Sequence, residues 1–111
     1  MTFVLSFHPE ARAELFADVE WYDDREFGLG GRFEGAVRMA VDAAARSPDS
    51  WAVWPGWDRM PLVRSKAVGG FPYRVVYFVH NGHLMIAAVA HTKRWPGYWR
   101  ERVGTSQSVG E

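Results

Sequence analysis

The chain has 111 residues, of which 48% are hydrophobic and 15% aromatic, with thirteen basic side chains, thirteen acidic side chains and no cysteine. This predicts one compact domain over residues 1–103 and a polar tail at residues 104–111 with the composition of a disordered segment. Because the chain has no cysteine, a disulfide framework and a thiolate metal site are excluded. No apolar run reaches the roughly 18 residues of a membrane span. No signal-peptide pattern opens the sequence, so we expect a cytoplasmic protein.

The two halves of the chain carry opposite charge. Residues 1–58 hold five arginines and eleven acidic side chains, a net charge of −6, whereas residues 59–111 hold eight basic and two acidic side chains, a net charge of +6. Clustered positive charge favours a polyanion, with phosphate the obvious group. We therefore expect the second half to face an anion, while the acidic half favours solubility or a basic partner.

Two amphipathic helices are predicted in the first half. Pro9 suits the first position of a helix, and an apolar stripe follows it at Leu15, Phe16, Val19 and Tyr22. After the break at "GLGG", a second stripe runs through Leu29, Phe33, Val37, Val41 and Ala44 until "RSPDS". We interpret "GLGG" as a helix break and not as a phosphate loop, because it follows a helix. Several acidic residues are assigned to the solvent face of the first helix, namely Glu14, Asp18, Asp23 and Asp24.

Four strands are predicted from β-prone runs. "FVLSF" precedes the first helix, and "MPLVRSKAV", "FPYRVVYFV" and "LMIAAVAH" follow the second. Asn81 and Gly82 suit the central positions of a type I′ turn, so the last two strands should be antiparallel neighbours. The predicted fold class is α+β with the order β-α-α-β-β-β, an antiparallel sheet with a helical hairpin packed on one face. A short turn or helix is expected at "GYWRERV".

The basic residues of the second half are predicted to share one surface. Arg64 and Lys66 are two positions apart and so leave the same side of a strand, and we expect Arg74, on the next strand, to converge with them. His91 ends the last strand near Arg74, because antiparallel neighbours run in opposite directions. The adjoining loop adds Lys93, Arg94 and Tyr98.

A surface of this kind suits single-stranded nucleic acid, with cations for the phosphates and rings for unstacked bases. The same groups can support RNA cleavage by attack of a ribose 2′-OH on the adjacent phosphate. Guanidinium groups stabilise the added negative charge, and a group that titrates near neutrality helps to move protons. His91 is the only such side chain in the cluster, while Tyr98 could donate or hold a proton or stack on a base. No cofactor is needed for this chemistry, and because the four histidines have no carboxylate at ligand spacing, no metal site is predicted.

Several stretches, in order, resemble the RelE/ParE superfamily, the toxins of type II toxin-antitoxin systems that include plasmid stabilisation proteins. They are "HPEARAELFADVEWYDDREFGLGGRF", the proline of "RSPDSW", "FPYRVVYFV" and "AVAHTKRWPGYWRER", which together extend over about residues 3–102. The resemblance implies a small α+β toxin neutralised by a cognate antitoxin. RelE-like members cut messenger RNA in the ribosomal A site with basic residues of the sheet and no metal, whereas ParE-like members poison DNA gyrase.

The resemblance also implies residue roles. Arg64 and Lys66 are similar to the paired strand cations of the ribonucleases, Arg74 to their third-strand arginine, Arg94 to the arginine after the fourth strand, and Tyr98 to their C-terminal tyrosine. The predicted catalytic residues are Arg74, His91, Arg94 and Tyr98, and the predicted nucleic-acid contacts are Arg64, Lys66 and Lys93. The connection before Arg74 is one residue longer than in the ribonuclease pattern, and "FPY" is more typical of ParE members.

Three functions are therefore open. We favour a metal-independent, ribosome-dependent mRNA endonuclease over a non-enzymatic inhibitor of DNA gyrase and over an inactive relative that binds only its antitoxin or nucleic acid. Simpler roles compete at single residues: the strand cations can be a solvated face, His91 a strand-end histidine bonded to backbone, and Tyr98 and Trp99 a clamp on the C-terminal turn. The tryptophans of "WAVWPGW", three positions apart, could form a stacking platform, but we prefer to assign them to core cover beneath a loop.

Overall fold

The computed structural model describes residues 3–104. Its elements are β1 (Val4–Phe7), α1 (Pro9–Arg25), α2 (Leu29–Arg46), β2 (Val63–Ala67), β3 (Tyr73–His80) and β4 (His83–His91), followed by a 3-10 turn at Arg100–Arg102. The four strands form one sheet in the order β1-β4-β3-β2, and the helical hairpin covers one of its faces. The predicted fold class and element order are confirmed. The tail predicted to be disordered lies outside the described residues from position 105 onward.

The sheet is mixed and not wholly antiparallel as predicted. β2, β3 and β4 are antiparallel neighbours, and Asn81 and Gly82 both take positive φ, at 51° and 77°, in the predicted turn between β3 and β4. β1 instead pairs parallel with β4, with Val4 beside His83 and Phe7 beside Ile86. The intervening helices and strands form the long connection that a parallel pair requires. β1 is consequently an outer strand of the sheet.

The helices form where the sequence predicts them and pack through the expected stripes. Pro9 opens α1, and the His8 side chain caps it by accepting a hydrogen bond at Nδ1 from the Glu10 amide at 3.1 Å. The core on the helical face joins residues of α1 and α2 to the strands, among them Ala11, Phe33, Val37, Val41, Val75 and Tyr77. Phe16 is an exception to the predicted stripe, because it is 56% exposed.

The break between the helices lies at Gly28 alone, since Gly30 and Gly31 belong to α2. Gly28 takes a left-handed φ of 84°, which glycine adopts without strain. Gly30 is buried where the helices cross, and its amide donates to Asp23 Oδ1 at 2.7 Å, so Asp23 caps α2 from the preceding helix. "GLGG" thus provides both a turn and a close helix contact.

Gly30→Ala is expected to destabilise the domain by about 1–3 kcal/mol, because the new Cβ would collide with the backbone oxygen of Val19 and with the Asp23 carboxylate. Gly31→Ala is the matched control: outside its own stretch of helix, no atom lies within 4 Å of the place where a Cβ would lie, and alanine favours a helix over glycine by about 0.5–1 kcal/mol. Urea unfolding of both variants checks the prediction. Equal or higher stability of Gly30→Ala would contradict the close approach of the helices.

The second face of the sheet, here called the open face, carries a separate core. This core joins strand residues to residues 51–62 and to the C-terminal segment. Its large buried side chains are Val63, Val76 and Phe78 of the strands, with Trp57 and Trp99. The ring centroids of Trp54 and Trp57 lie 4.9 and 5.8 Å from that of Trp99. The assignment of these tryptophans to core cover is confirmed for Trp57, whereas Trp54 is only half-buried. Within residues 3–104, neither helix is long and apolar enough to cross a membrane.

Candidate functional site

Four of the predicted site residues line one small pocket where β4 ends. The pocket, here called the Arg74 pocket, has a volume of about 110 Å³ and is lined by Arg74, His91, Arg94 and Tyr98 together with residues of the 92–99 loop and Trp54. β3 and β4 bring Arg74 and His91 to the same end of the sheet, because Tyr73 pairs with His91 and Arg74 with Ala90; by alternation the two side chains leave opposite faces, and both line the pocket at that end. The roles assigned to the four residues remain predictions.

Arg74 leaves the open face of the sheet and is held by neutral partners. Its Nε donates to Ser65 Oγ at 2.8 Å, and its Nη2 lies 3.4 Å from the Ser65 carbonyl oxygen. Among residues 3–104, no carboxylate forms a salt bridge with Arg74. The guanidinium is therefore fixed in direction while its charge stays uncompensated, which suits it to bind an anion.

Arg64 and Lys66 lie on the opposite side of the sheet, so the predicted convergence with Arg74 is wrong. Arg64 pairs with Tyr77 and Lys66 with Val75, on the face that packs against the helices. The connection between β2 and β3 pairs Ala67 with Arg74, and alternation then places Ser65 on the side of Arg74.

Arg64 and Lys66 both make contacts that stabilise the fold. Arg64 Nη1 donates to the carbonyl oxygen of Trp51 at 2.8 Å and of Asp49 at 3.3 Å. Lys66 Nζ lies 4.7 Å from the centroid of the Trp51 ring. Trp51 in turn donates from Nε1 to the Ala43 carbonyl oxygen of α2. The two residues therefore fasten the segment after α2 to β2.

Glu14 of α1 is the residue that organises the other edge of the pocket, and sequence reasoning placed it wrongly on the solvent face. Its carboxylate is 13% exposed and accepts hydrogen bonds from the Val89 amide at 3.1 Å and from the Tyr98 hydroxyl at 2.9 Å. Arg102 Nη2 lies 2.9 Å from it and Arg94 Nη1 3.5 Å. Because β1 ends opposite Ile86, no strand of residues 3–104 lies beside the Val89 amide on that side, and Glu14 takes the place of one.

The contacts of Tyr98 fit the role of a clamp on the C-terminal turn, and they do not support a role in proton transfer. Burial first, and then the Glu14 carboxylate, raise the pKa of Tyr98 above its ordinary value, although Arg94 and Arg102 oppose this. The phenol therefore stays protonated and donates to Glu14. The Arg94 guanidinium lies 3.7 Å from the centroid of the Tyr98 ring, so this ring supports Arg94 from one side. Arg94 is 53% exposed and remains accessible to a ligand.

His91 has the backbone bond expected of a strand-end histidine. Its Nδ1 accepts from the Lys93 amide at 3.0 Å, so the neutral ring carries its proton on Nε2. The imidazole packs edge-on against Tyr73, at a centroid distance of 4.9 Å. Behind it, burial raises the pKa of Asp18, while a hydrogen bond from Tyr73 lowers it. The assignment of Asp18 to the solvent face is therefore wrong as well.

Lys93 is exposed, and its predicted contact with nucleic acid remains a prediction. Within the described part of the chain, no group of three or more histidine and acidic side chains is placed to hold a metal ion.

The fold is shared with two solved structures. A chain of the chromosomal ParDE TA system from P. aeruginosa is 16% identical, superposes with a TM-score of 0.69, and is matched over 83% of this chain and 98% of that chain. The structure of the YoeB dimer from Staphylococcus aureus gives 15% identity, a TM-score of 0.52, and coverage of 81% and 97%. No protein-family model and no curated protein matches the sequence. At these identities the similarity establishes the α+β fold that the sequence resemblance implied.

Proposed function

We propose that this chain is the toxin of a type II toxin-antitoxin system and that it cleaves messenger RNA on the ribosome. The observation that carries the RNA activity is the Arg74 pocket, where two arginines from different parts of the chain line a cavity of about 110 Å³. Arg74 has no acidic partner among the described residues. Arg94 forms one long ion pair, with Glu14 at 3.5 Å. Two guanidinium groups of this kind suit the oxygens of one phosphate group. The shared fold and the sequence resemblance support the toxin class.

In this proposal the chain contributes mainly charge stabilisation. The ribose 2′ oxygen bonds to phosphorus as the bond to the 5′ oxygen breaks; the 2′ oxygen loses a proton and the 5′ oxygen gains one. Arg74 and Arg94 would hold the phosphate and stabilise the added negative charge of the phosphorane. His91 would add a hydrogen bond from Nε2, because its Nδ1 is occupied by the Lys93 amide. Tyr98 would position Arg94. This set of groups works without a metal ion.

An antitoxin partner is supported by an apolar surface beside β1. Val4, Leu5 and Phe16 are 58, 45 and 56% exposed, and the last two line a groove of about 470 Å³ between β1 and the helices. Exposed apolar surface next to an outer strand is typical of a protein interface. The antitoxin would cover this groove.

Inhibition of DNA gyrase is the second candidate. The chain of the ParDE system superposes with a TM-score of 0.69 against 0.52 for YoeB, and the cations predicted to bind RNA occupy two faces of the sheet. The resemblance to ParE-like members implies a target of this kind. The higher TM-score and the divided cations favour a non-enzymatic toxin over a ribonuclease, whereas the Arg74 pocket favours the ribonuclease.

Controlled expression in a bacterial host tests the toxin class. We expect growth to stop after induction and to resume when the product of an adjacent gene is co-expressed, and an unaffected culture would contradict the proposal. Purified chain added to gyrase separates the two targets. Supercoiling that continues supports the RNA activity, and inhibited supercoiling with intact messages would support the second candidate.

A further inference from the structure

A wider groove lies beside the Arg74 pocket on the open face of the sheet. It has a volume of about 510 Å³ and is bounded by residues 52–55, by Ser65 and Arg74, and by Pro96 and Arg100. Trp54, Arg74 and Pro96 line both cavities, so the two are adjacent. Sequence reasoning assigned no role to Arg100, and for Trp54 it preferred core cover to a stacking role.

The two cavities differ in what they can hold. Binding sites for small molecules measure about 300–1,000 Å³, a range that includes the groove and excludes the pocket. The smaller cavity therefore suits a single phosphate group, and the larger one suits a nucleoside attached to it. Arg74 stands at the junction, where the phosphate between them would lie.

Arg100 gives the groove a second positive charge. Its guanidinium carbon lies 5.4 Å from the centroid of the Trp57 ring, and its side chain packs over Gly97, where a Cβ would lie 2.6 Å from Arg100 Nε. Gly97 also takes a φ of 81°, a left-handed conformation that favours glycine. Arg100 is exposed and forms no salt bridge with a carboxylate of residues 3–104.

Trp54 gives the groove a rigid aromatic wall. Its ring meets that of Trp99 edge-on at 4.9 Å and 88°, and Trp99 is 1% exposed. An aromatic ring held in place by the core, and lining an open groove, can stack on a base with little loss of side-chain entropy. Bases are available for such stacking in single strands and not in a duplex.

We propose that this groove binds one nucleoside of single-stranded RNA, with its base against Trp54 and its outer phosphate at Arg100, beside the phosphate held at Arg74 and Arg94. The inference rests on the proposed RNA activity and extends it: the chain grips the nucleotide next to the cleaved bond and not only the phosphate.

The test is binding of a fluorescein-labelled 2′-O-methyl RNA hexamer, in which the 2′ oxygen cannot attack, to the full chain. Trp54→Leu should weaken binding about tenfold, which is the scale of one stacked base, while Trp54→Phe should restore most of the affinity. Arg100→Ala should weaken binding at low salt and reduce the slope of log K against log salt by about 0.7, the value for one phosphate of a single strand. Arg32→Ala, which removes the same charge from α2, is the control and should bind like the wild type.

A ribose-phosphate hexamer without bases separates stacking from loss of structure. Trp54→Leu should bind it as the wild type does, and an equal loss for both ligands would overturn the stacking role. If Arg74→Ala abolishes RNA binding while the Trp54 and Arg100 variants bind normally, the RNA activity stands and the nucleoside site is wrong. If the wild-type chain does not bind the RNA hexamer, the nucleoside site is wrong, whereas the proposed RNA activity, which takes place on the ribosome, is refuted only if a translated message stays intact.

Discussion

Glu14→Ala is expected to lower the free energy of unfolding by about 3–5 kcal/mol, the usual loss when one member of a buried ion pair is removed. The substitution would leave Arg102, whose side chain is 11% exposed, without its nearest carboxylate at 2.9 Å. It would also remove the acceptor of the Val89 amide and of the Tyr98 hydroxyl. The C-terminal segment would then keep a contact to α1 through Arg102 and the exposed Glu10 at 3.3 Å, and lose the contacts that Glu14 makes.

Urea unfolding of Glu14→Ala measures this loss, with Glu34→Ala as the control. Glu34 and Arg38 form a pair in α2 with side-chain exposures of 40 and 71%, and such helical pairs contribute only about 0.3–0.5 kcal/mol. A loss below about 1 kcal/mol for Glu14→Ala, similar to that of the control, would show that the carboxylate does not hold the C-terminal segment.

Arg74→Ala is expected to reduce RNA cleavage by at least about a hundredfold, because a donor that stabilises transition-state charge contributes on that scale. Stability should change by only about 1 kcal/mol, since the bonds lost are a short one to Ser65 Oγ and a long one to the Ser65 carbonyl oxygen, both neutral partners. Arg74→Lys should recover part of the activity at most, because an ammonium group cannot bind phosphate through two parallel bonds.

Initial rates on a defined message with translating ribosomes check this prediction, and thermal unfolding of each variant confirms the fold. Arg32→Ala, which removes a charge from an exposed pair in α2, is expected to cleave like the wild type. Undiminished cleavage by a folded Arg74→Ala protein would show that the Arg74 pocket takes no part in cleavage.

The helices and strands were predictable because their signals are local. The stripe from Phe33 to Val41 and the Asn81-Gly82 turn depend on neighbours a few positions away. The parallel placement of β1 was not predictable in this way, since no local pattern names the partner of an outer strand. The prediction for Phe16 was wrong because one apolar residue beside a stripe is compatible with either face of the helix.

The predicted site failed in part because faces of a sheet depend on register. Arg64 and Lys66 could be placed on one side together from their spacing, but their side relative to Arg74 depends on which residue of β2 pairs with it, and that residue is Ala67. The extra residue in the connection before Arg74 was a visible signal, because a change of one position exchanges the two faces.

Glu14 was missed for a different reason. Its partners Val89 and Tyr98 lie 75 and 84 positions away in the sequence, so an acidic residue among other polar residues of α1 gave no sign of them. The charge difference between the halves of the chain was a partial signal. It predicts attraction between the helices and the basic segment as well as attraction to an external anion, and Glu14 with Arg102 shows that the first effect operates here.

Mapping of message ends by primer extension after brief induction tests the central claim most directly. If the Arg74 pocket cleaves RNA on the ribosome, new 5′ ends should appear within translated regions, at positions fixed relative to the reading frame. They should be absent after induction of Arg74→Ala and absent when translation is blocked. Growth arrest with intact messages, or the same ends produced by Arg74→Ala, would contradict the account.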